Sequence, residues 1–306
     1  MTKLKLITFL ALSVFISSCA SDSDTDNDKE NQKAEYTINF NDTSLLFPDL
    51  KATRDGDYFF IGESNDLPQT PRPDQIATDF SLYFHKDGTL FSAGIYDNSL
   101  KDALSSPFYF SKNLFKFNIE NIDEANKKIK VSFSGNVYEH QWDQIYQYHK
   151  KLDGSISINY SEKGEVNSNK ENGTTMKING QNWRGLGYEM TDAYSNKGRI
   201  IKINGDNQYS IAIFFPKSIP KKGKYMFTKN LEMDAVYTVN FYRYYPNTIG
   251  PDDYSTGPVQ FITTGVLEIT DLKGSDIIGT FSFTAVDPIT NESIVVTNGV
   301  FREQLL

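Results

Sequence analysis

The sequence predicts an all-β protein, arranged as two tandem antiparallel β-sandwich domains behind an export signal and an acidic tether. Three observations carry that expectation. Aromatic residues make up 14% of the 306-residue chain, against 39% hydrophobic residues in total, and rings lose rotamer freedom on a helix while fitting well on a pleated surface. Beyond Tyr36 the chain runs as short apolar–polar alternations broken by Gly, Asn, Asp and Pro, without a long apolar stripe at helical spacing. Segments of the first half also recur, in order, about 140–150 residues later in the second.

The first 18 residues read as an export signal. Lys3 and Lys5 form a short basic region, and Leu6 to Ile16 is an apolar run suited to a signal core and too short to span a bilayer as a helix. The run ends in Ile16-Ser17-Ser18-Cys19, which resembles the lipobox of bacterial lipoproteins. That resemblance implies a diacylglycerol thioether on Cys19, cleavage before it, and acylation of the new amino group, with palmitate the expected acyl chain. Three acyl chains exceed the two-anchor threshold for stable attachment. Cys19 is the only cysteine in the chain, which strengthens the match.

Residues 19–35 form the tether. Ser21-Asp22-Ser23-Asp24-Thr25-Asp26-Asn27-Asp28-Lys29-Glu30 is polar and like-charged, and such a segment cannot bury enough apolar surface to collapse. It resembles the acidic signals that send Bacteroidota lipoproteins to the outer face of the outer membrane. The expected location is therefore the outer membrane, lipid-anchored and facing the cell exterior. Asp24, Asp26 and Asp28 are spaced like calcium-loop ligands, but Lys29 stands where an EF-hand needs glycine for its turn.

Two β domains follow, over residues 36–162 and 173–306, with a polar boundary from Ser161 to Gly173. Lys86-Asp87-Gly88, Leu152-Asp153-Gly154, Asn204-Gly205 and Asn298-Gly299 mark turns, because Asn-Gly and Asp-Gly pairs tolerate positive φ. Tyr36-Thr37-Ile38-Asn39 matches Met176-Lys177-Ile178-Asn179, which places Ile38 against Ile178. Ile129 to Ser134 matches Ile277 to Ser282, which places Phe133 against Phe281. Each copy is long enough for its own core. An up-and-down, lipocalin-like barrel is the alternative to the sandwich. Alternation in the second copy sends Phe281, Phe283 and Phe301 to the core with Ile203 and Phe241.

The second copy opens with Lys177-Ile178-Asn179-Gly180-Gln181-Asn182-Trp183 and closes with Gly279-Thr280-Phe281-Ser282-Phe283 and Val296-Thr297-Asn298-Gly299-Val300-Phe301. Over residues 174–303 it resembles an uncharacterised Bacteroidota outer-membrane lipoprotein family, a domain of unknown function. The resemblance implies a fold and a location; it brings no catalytic residues.

The chemistry is read by exclusion and by aromatics. With 31 basic and 39 acidic residues the formal charge is −8, so the basic face of a nucleic-acid binder is not expected. One cysteine and three histidines leave little for a metal centre, and no cofactor motif, nucleophile elbow or zinc helix occurs. An enzyme is not expected. His140 and His149, near Glu139 and Asp143, read as polar residues of a connection. Trp142, Tyr146 and Tyr148 share one face in extended conformation, and Tyr242 and Tyr244 share another opposite the core residues Val239 and Phe241. Rings beside amides and carboxylates suit sugars, whose apolar faces stack while their hydroxyls need partners.

These five residues are the candidate ligand site of a binding module. Its expected partners are the membrane, through the lipid anchor, and a glycan or other envelope proteins. The alternatives are a structural or assembly subunit of an envelope complex, a hydrolase, or a barrel holding a small lipophile. Cys19→Ala is expected to abolish acyl labelling and to release the protein from the membrane fraction; labelling that persists in the variant would show that Cys19 is not the acceptor.

Overall fold

The computed structural model describes residues 34–63, 76–107, 114–139, 149–163, 173–191, 198–205, 207–216, 220–228, 237–244 and 258–304. The first sheet contains β1 (Glu35–Phe40), β2 (Thr43–Ser44), β3 (Leu50–Asp55), β4 (Tyr58–Glu63), β5 (Ala77–His85), β6 (Leu90–Asp97), β7 (Asp102–Ser105), β8 (Phe115–Asp123), β9 (Lys128–Tyr138) and β10 (His149–Glu162). The second contains β11 (Gly173–Ile178), β12 (Gln181–Thr191), β13 (Arg199–Gly205), β14 (Tyr209–Phe215), β15 (Gly223–Thr228), β16 (Thr238–Arg243), β17 (Val259–Gln260), β18 (Ile262–Lys273), β19 (Asp276–Val286) and β20 (Ser293–Gln304).

The all-β architecture with two large sheets is the one the sequence predicts. Within each half, the pairing follows the barrel-like alternative, a single continuous sheet curled round its core. In the first half β10 is antiparallel to β9 along one edge, while its last residues pair in parallel with β3, Tyr160 opposite Ala52. β7 meets β9 at Ser105 and Tyr138, so the ladder β3-β4-β5-β6-β7-β9-β10 returns to its start. In the second half the chain from Val259 pairs with β16 and then runs on as β18 beside β19. Phe261 N donates to Phe241 O at 2.9 Å and Thr263 Oγ1 to Val239 O at 2.8 Å, which brings the two ends of that sheet together. Curling removes most of the free strand edge that would otherwise invite pairing with another chain.

Alternation determines what each sheet encloses. In β9, Ile129, Val131 and Phe133 point inward, joining Phe40, Phe59, Phe84 and Phe115 in the first core. In the second half Phe281, Phe283 and Phe301 are buried with Ile203 and Phe241, as their spacing predicts, and Trp183 joins them. The Trp183 indole N–H keeps a partner by donating to Asn207 Oδ1 at 2.8 Å, the condition on which a buried tryptophan is tolerated.

The two sheets share register along the run β8-β9-β10-β1 of the first and β18-β19-β20-β11 of the second. Phe133 lies opposite Phe117 on one side and Gly154 on the other; Phe281 lies opposite Leu267 and Gly299. Both neighbouring ladders slip at the same place, between Ile119 and Asn121 in one copy and between Ile269 and Asp271 in the other. Each copy also opens with a two-residue hairpin: Asn41-Asp42 (φ 49° and 63°) and Asn179-Gly180 (φ 47° and 83°). Two consecutive positive φ angles are the type I′ geometry that matches strand twist. Aligning these turns sets Phe40 against Ile178 and Ile38 against Met176. The sequence match of Ile38 with Ile178 therefore found the right strand and face but was displaced by two residues, because a period-2 pattern fits equally well after a shift of two.

A Cβ on Gly299 would enter the Phe281 ring, and one on Gly154 would meet Thr37 O with the Phe133 ring beside it. Glycine here gives the opposing ring room to lie across the strand. Gly299→Ala is expected to lower the unfolding free energy by about 1–3 kcal/mol through overpacking, and Phe281→Ala by about 3–5 kcal/mol, both measured by urea denaturation. A loss below about 1 kcal/mol for Phe281→Ala would contradict the inward face assigned to it.

Candidate ligand-binding cleft

Residues 33–306 form one compact unit, and the outer face of the first sheet is where the second meets it. A solvated sheet face would carry polar residues at alternate positions. On β4, β5 and β6 that face instead carries Tyr58, Phe60, Tyr83, His85 and Phe91. Tyr58 pairs across the strands with His85, and Phe60 with Tyr83. The Tyr58 ring meets the His85 ring edge-on at 5.1 Å and lies 6.0 Å from Tyr83 and 5.9 Å from Phe91. Tyr58 and His85 are buried there, Tyr83 and Phe91 are half-buried, and Phe60 stays exposed.

Two contacts among the described residues hold that docking. The Tyr58 hydroxyl abuts Gly173, whose φ of +110° and missing Cβ leave the space the phenol occupies. Arg184, on β12, hydrogen-bonds Tyr58 and donates from Nε to Asp87 Oδ2 at 2.6 Å. Asp87 sits in the Lys86-Asp87-Gly88 turn, where Thr89 N also donates to it at 3.0 Å and His85 Nδ1 lies 3.0 Å away. Burial disfavours its charge, but the hydrogen bonds with His85 and Arg184 outweigh burial and hold the carboxyl below the usual carboxylate range.

Beside this clamp the sheets diverge and leave a cleft of about 660 Å³. One wall is Tyr58, Phe60 and Tyr83; the Phe60 ring is 39% exposed and lies over Gly62, with no side chain there to lift it. Lys51, Asp55 and Lys163 stand along the same side, and Leu186 and Glu303 belong to the opposite one. Burial lifts both phenols above their ordinary value, Tyr83 to about 12.

Glu303 is the unusual member. It follows Phe301 on the inward face of β20 and is 2% exposed. Thr174 Oγ1 donates to its Oε1 at 2.7 Å and Gly187 N to its Oε2 at 3.1 Å. A Cβ on Gly187 would collide with the carboxyl, so that glycine makes the approach possible. Burial pushes the Glu303 carboxyl up to about 8 in spite of both hydrogen bonds, because desolvation penalises the charged form more than two neutral donors repay. At neutral pH the group is mainly a carboxylic acid. It accepts both bonds and retains one O–H to donate.

Of the residues the sequence singled out, Cys19, Trp142, Tyr146 and Tyr148 lie outside the described residues, as do His140 and the tether up to residue 33; the tether's expected end is corrected, since Glu35 already pairs as the first residue of β1. Tyr242 and Tyr244 are half-buried around the C-terminal end of β16 and do not line the cleft. Asn240 Nδ2 donates to the Tyr242 hydroxyl at 3.3 Å, and burial raises that phenol. The face they share with Asn240 is thus partly covered, Asn240 itself being buried. His149 packs its ring 5.6 Å from that of Tyr138. Among the described residues, no three His, Cys, Asp or Glu side chains gather as a metal site.

Sequence reasoning missed Tyr58, Phe60, Tyr83 and Glu303. The available signal was the unbroken run Tyr58-Phe59-Phe60-Ile61, which marks a strand buried on both faces, and a carboxylate at a core-parity position after Phe301. Residues 172–303, almost the whole second sheet, match a family described as a domain of unknown function (DUF6252). No curated protein and no solved structure matches the chain.

Glu303 makes stability depend on pH. Below the ordinary glutamate value of 4.5 the folded and unfolded chains both hold the proton, and the group's contribution is fully present. Between there and about 8 the unfolded chain releases the proton while the folded chain keeps it, so stability falls as pH rises and levels off above that window. Glu303→Gln removes the titration. Its amide can accept from Gly187 N and donate to Thr174, whose hydroxyl serves either way. Between pH 5 and 9 the wild type is expected to lose a few kcal/mol, on the order of 1.4 kcal/mol per pH unit within the window, relative to Glu303→Gln. Denaturation curves that run parallel for the two proteins would refute this.

Proposed function

We propose that this is a lipid-anchored envelope protein that binds carbohydrate in the cleft between its two sheets. The supporting observation is the Phe60 ring, exposed and laid flat on Gly62, beside Tyr83 and flanked on the same side by ionic groups at Lys51, Asp55 and Lys163. A pyranose presents one apolar face to such a ring and hydroxyls to such groups. The volume falls in the roughly 300–1,000 Å³ range of small-ligand sites. The lipobox at Cys19 and the acidic stretch after it support outer-membrane anchoring with the body facing the exterior, and the Bacteroidota lipoprotein resemblance of residues 174–303 agrees with that location.

Screening the protein against immobilised oligosaccharides tests the reading. Phe60→Ala is expected to weaken binding at least about tenfold while changing stability by no more than about 0.5 kcal/mol, since a partly exposed ring contributes little to folding. Unaltered affinity in Phe60→Ala, with loss in Trp142→Ala or Tyr242→Ala, would move the site to the aromatic clusters of those residues.

A further inference from the structure

We propose that the cleft selects acidic saccharides, with Lys51 and Lys163 meeting the carboxylate or sulfate of the sugar and the Glu303 carboxyl donating a hydrogen bond to it. The proposal rests on the carbohydrate reading and adds the chemical class of the ligand. Its basis is the local charge. The chain as a whole carries −8, which would repel anionic polymers at long range, yet the cleft has two ammonium groups against two carboxyls.

One of those carboxyls, Glu303, is held in a pocket that favours its neutral form, between Thr174 and the Gly187 amide. Asp55 is then the one anion of the lining at neutral pH, and the cleft is net positive in a net negative protein. Low-dielectric walls concentrate such a field and enrich ligands of the opposite sign. A neutral carboxyl beside two ammonium groups complements an anion, which needs donors; an ionised one would oppose it.

The groups around Glu303 come from every element at the cleft. Tyr58 and Tyr83 face it from β4 and β5, with His85 behind Tyr58; Lys51 and Asp55 come from β3, Lys163 from the end of β10, and Arg184 from β12 through Tyr58. On its own strand Arg302 points to the other face, where its Nε donates to Asp276 Oδ2 at 2.9 Å. Burial raises both tyrosines and keeps them neutral over this range. Glu303, lifted by burial to about 8, changes its charge between neutrality and about pH 9.

The experiment compares an oligogalacturonate, a sulfated galactose oligosaccharide and their neutral galacto-oligosaccharide counterpart by titration calorimetry with the full chain, at about pH 6.5 and about pH 9. Preference for an acidic ligand over the neutral one by about tenfold at the lower pH is expected, with a smaller ratio at the higher pH. Whichever of the two acidic ligands is preferred identifies the anion. Lys51→Ala combined with Lys163→Ala is expected to remove the preference, weakening the acidic ligands more than the neutral one, and Glu303→Gln to remove the pH dependence of the ratio. Equal or tighter binding of the neutral ligand would overturn the charge selectivity while leaving carbohydrate binding in place. Failure of all three ligands to bind, with the fold intact by circular dichroism, would overturn both readings. Should Glu303→Gln fail to fold, the double lysine variant decides the matter alone.

Discussion

The seating of Tyr58 against Gly173, locked by Arg184 on Asp87, is the contact from which the functional geometry follows. Without it each half is a curled sheet with its own core, and Tyr58, Phe60, Tyr83 and Phe91 would present an aromatic face to water. With it, Tyr58 is buried, Phe60 is left 39% exposed at the rim, and Glu303 faces across to the first sheet. The ion pair makes this docking directional. A partly buried, charge-assisted bond between a strand and a turn sets orientation better than apolar contact does, since apolar contact tolerates sliding. Gly173 supplies the remaining condition, because a side chain there would hold the sheets apart.

The shared register lets the two copies be compared position by position, and the comparison isolates what is particular to the second. With Gly154 aligned to Gly299, Glu303 occupies the place of Ile158 and Thr174 the place of Tyr36. Ile158 is an ordinary core residue of the first sheet. In the second copy the same lattice point holds a carboxyl, with a threonine hydroxyl and a glycine amide as partners. The change lies where the second sheet faces the first. An ionisable group in a buried position costs stability, and this one is placed at a cleft.

The candidate site is correspondingly asymmetric. Rings and ammonium groups belong to the first copy, the buried carboxyl to the second, and neither copy alone has the complete lining. The electrostatics are local in the same sense: the net charge of the chain gives no indication of the sign within the cleft, which depends on whether one desolvated carboxyl holds its proton.

The all-β class, the frequent turns at Asn-Gly and Asp-Gly, and the inward faces of β9, β19 and β20 were legible in the sequence, because alternation and positive-φ residues act locally. Strand equivalence between the copies was also legible, within a shift of two residues that a period of two cannot resolve. Curling was not, since it depends on pairings such as Tyr160 with Ala52 and Phe261 with Phe241, between residues far apart in the chain or joined end to end. The cleft was hidden for the same reason. Tyr58 and Phe60 read as ordinary strand aromatics, and Glu303 as one of 39 acidic residues. Only the docking of one sheet on the other decides which rings remain open and which carboxyl loses its water.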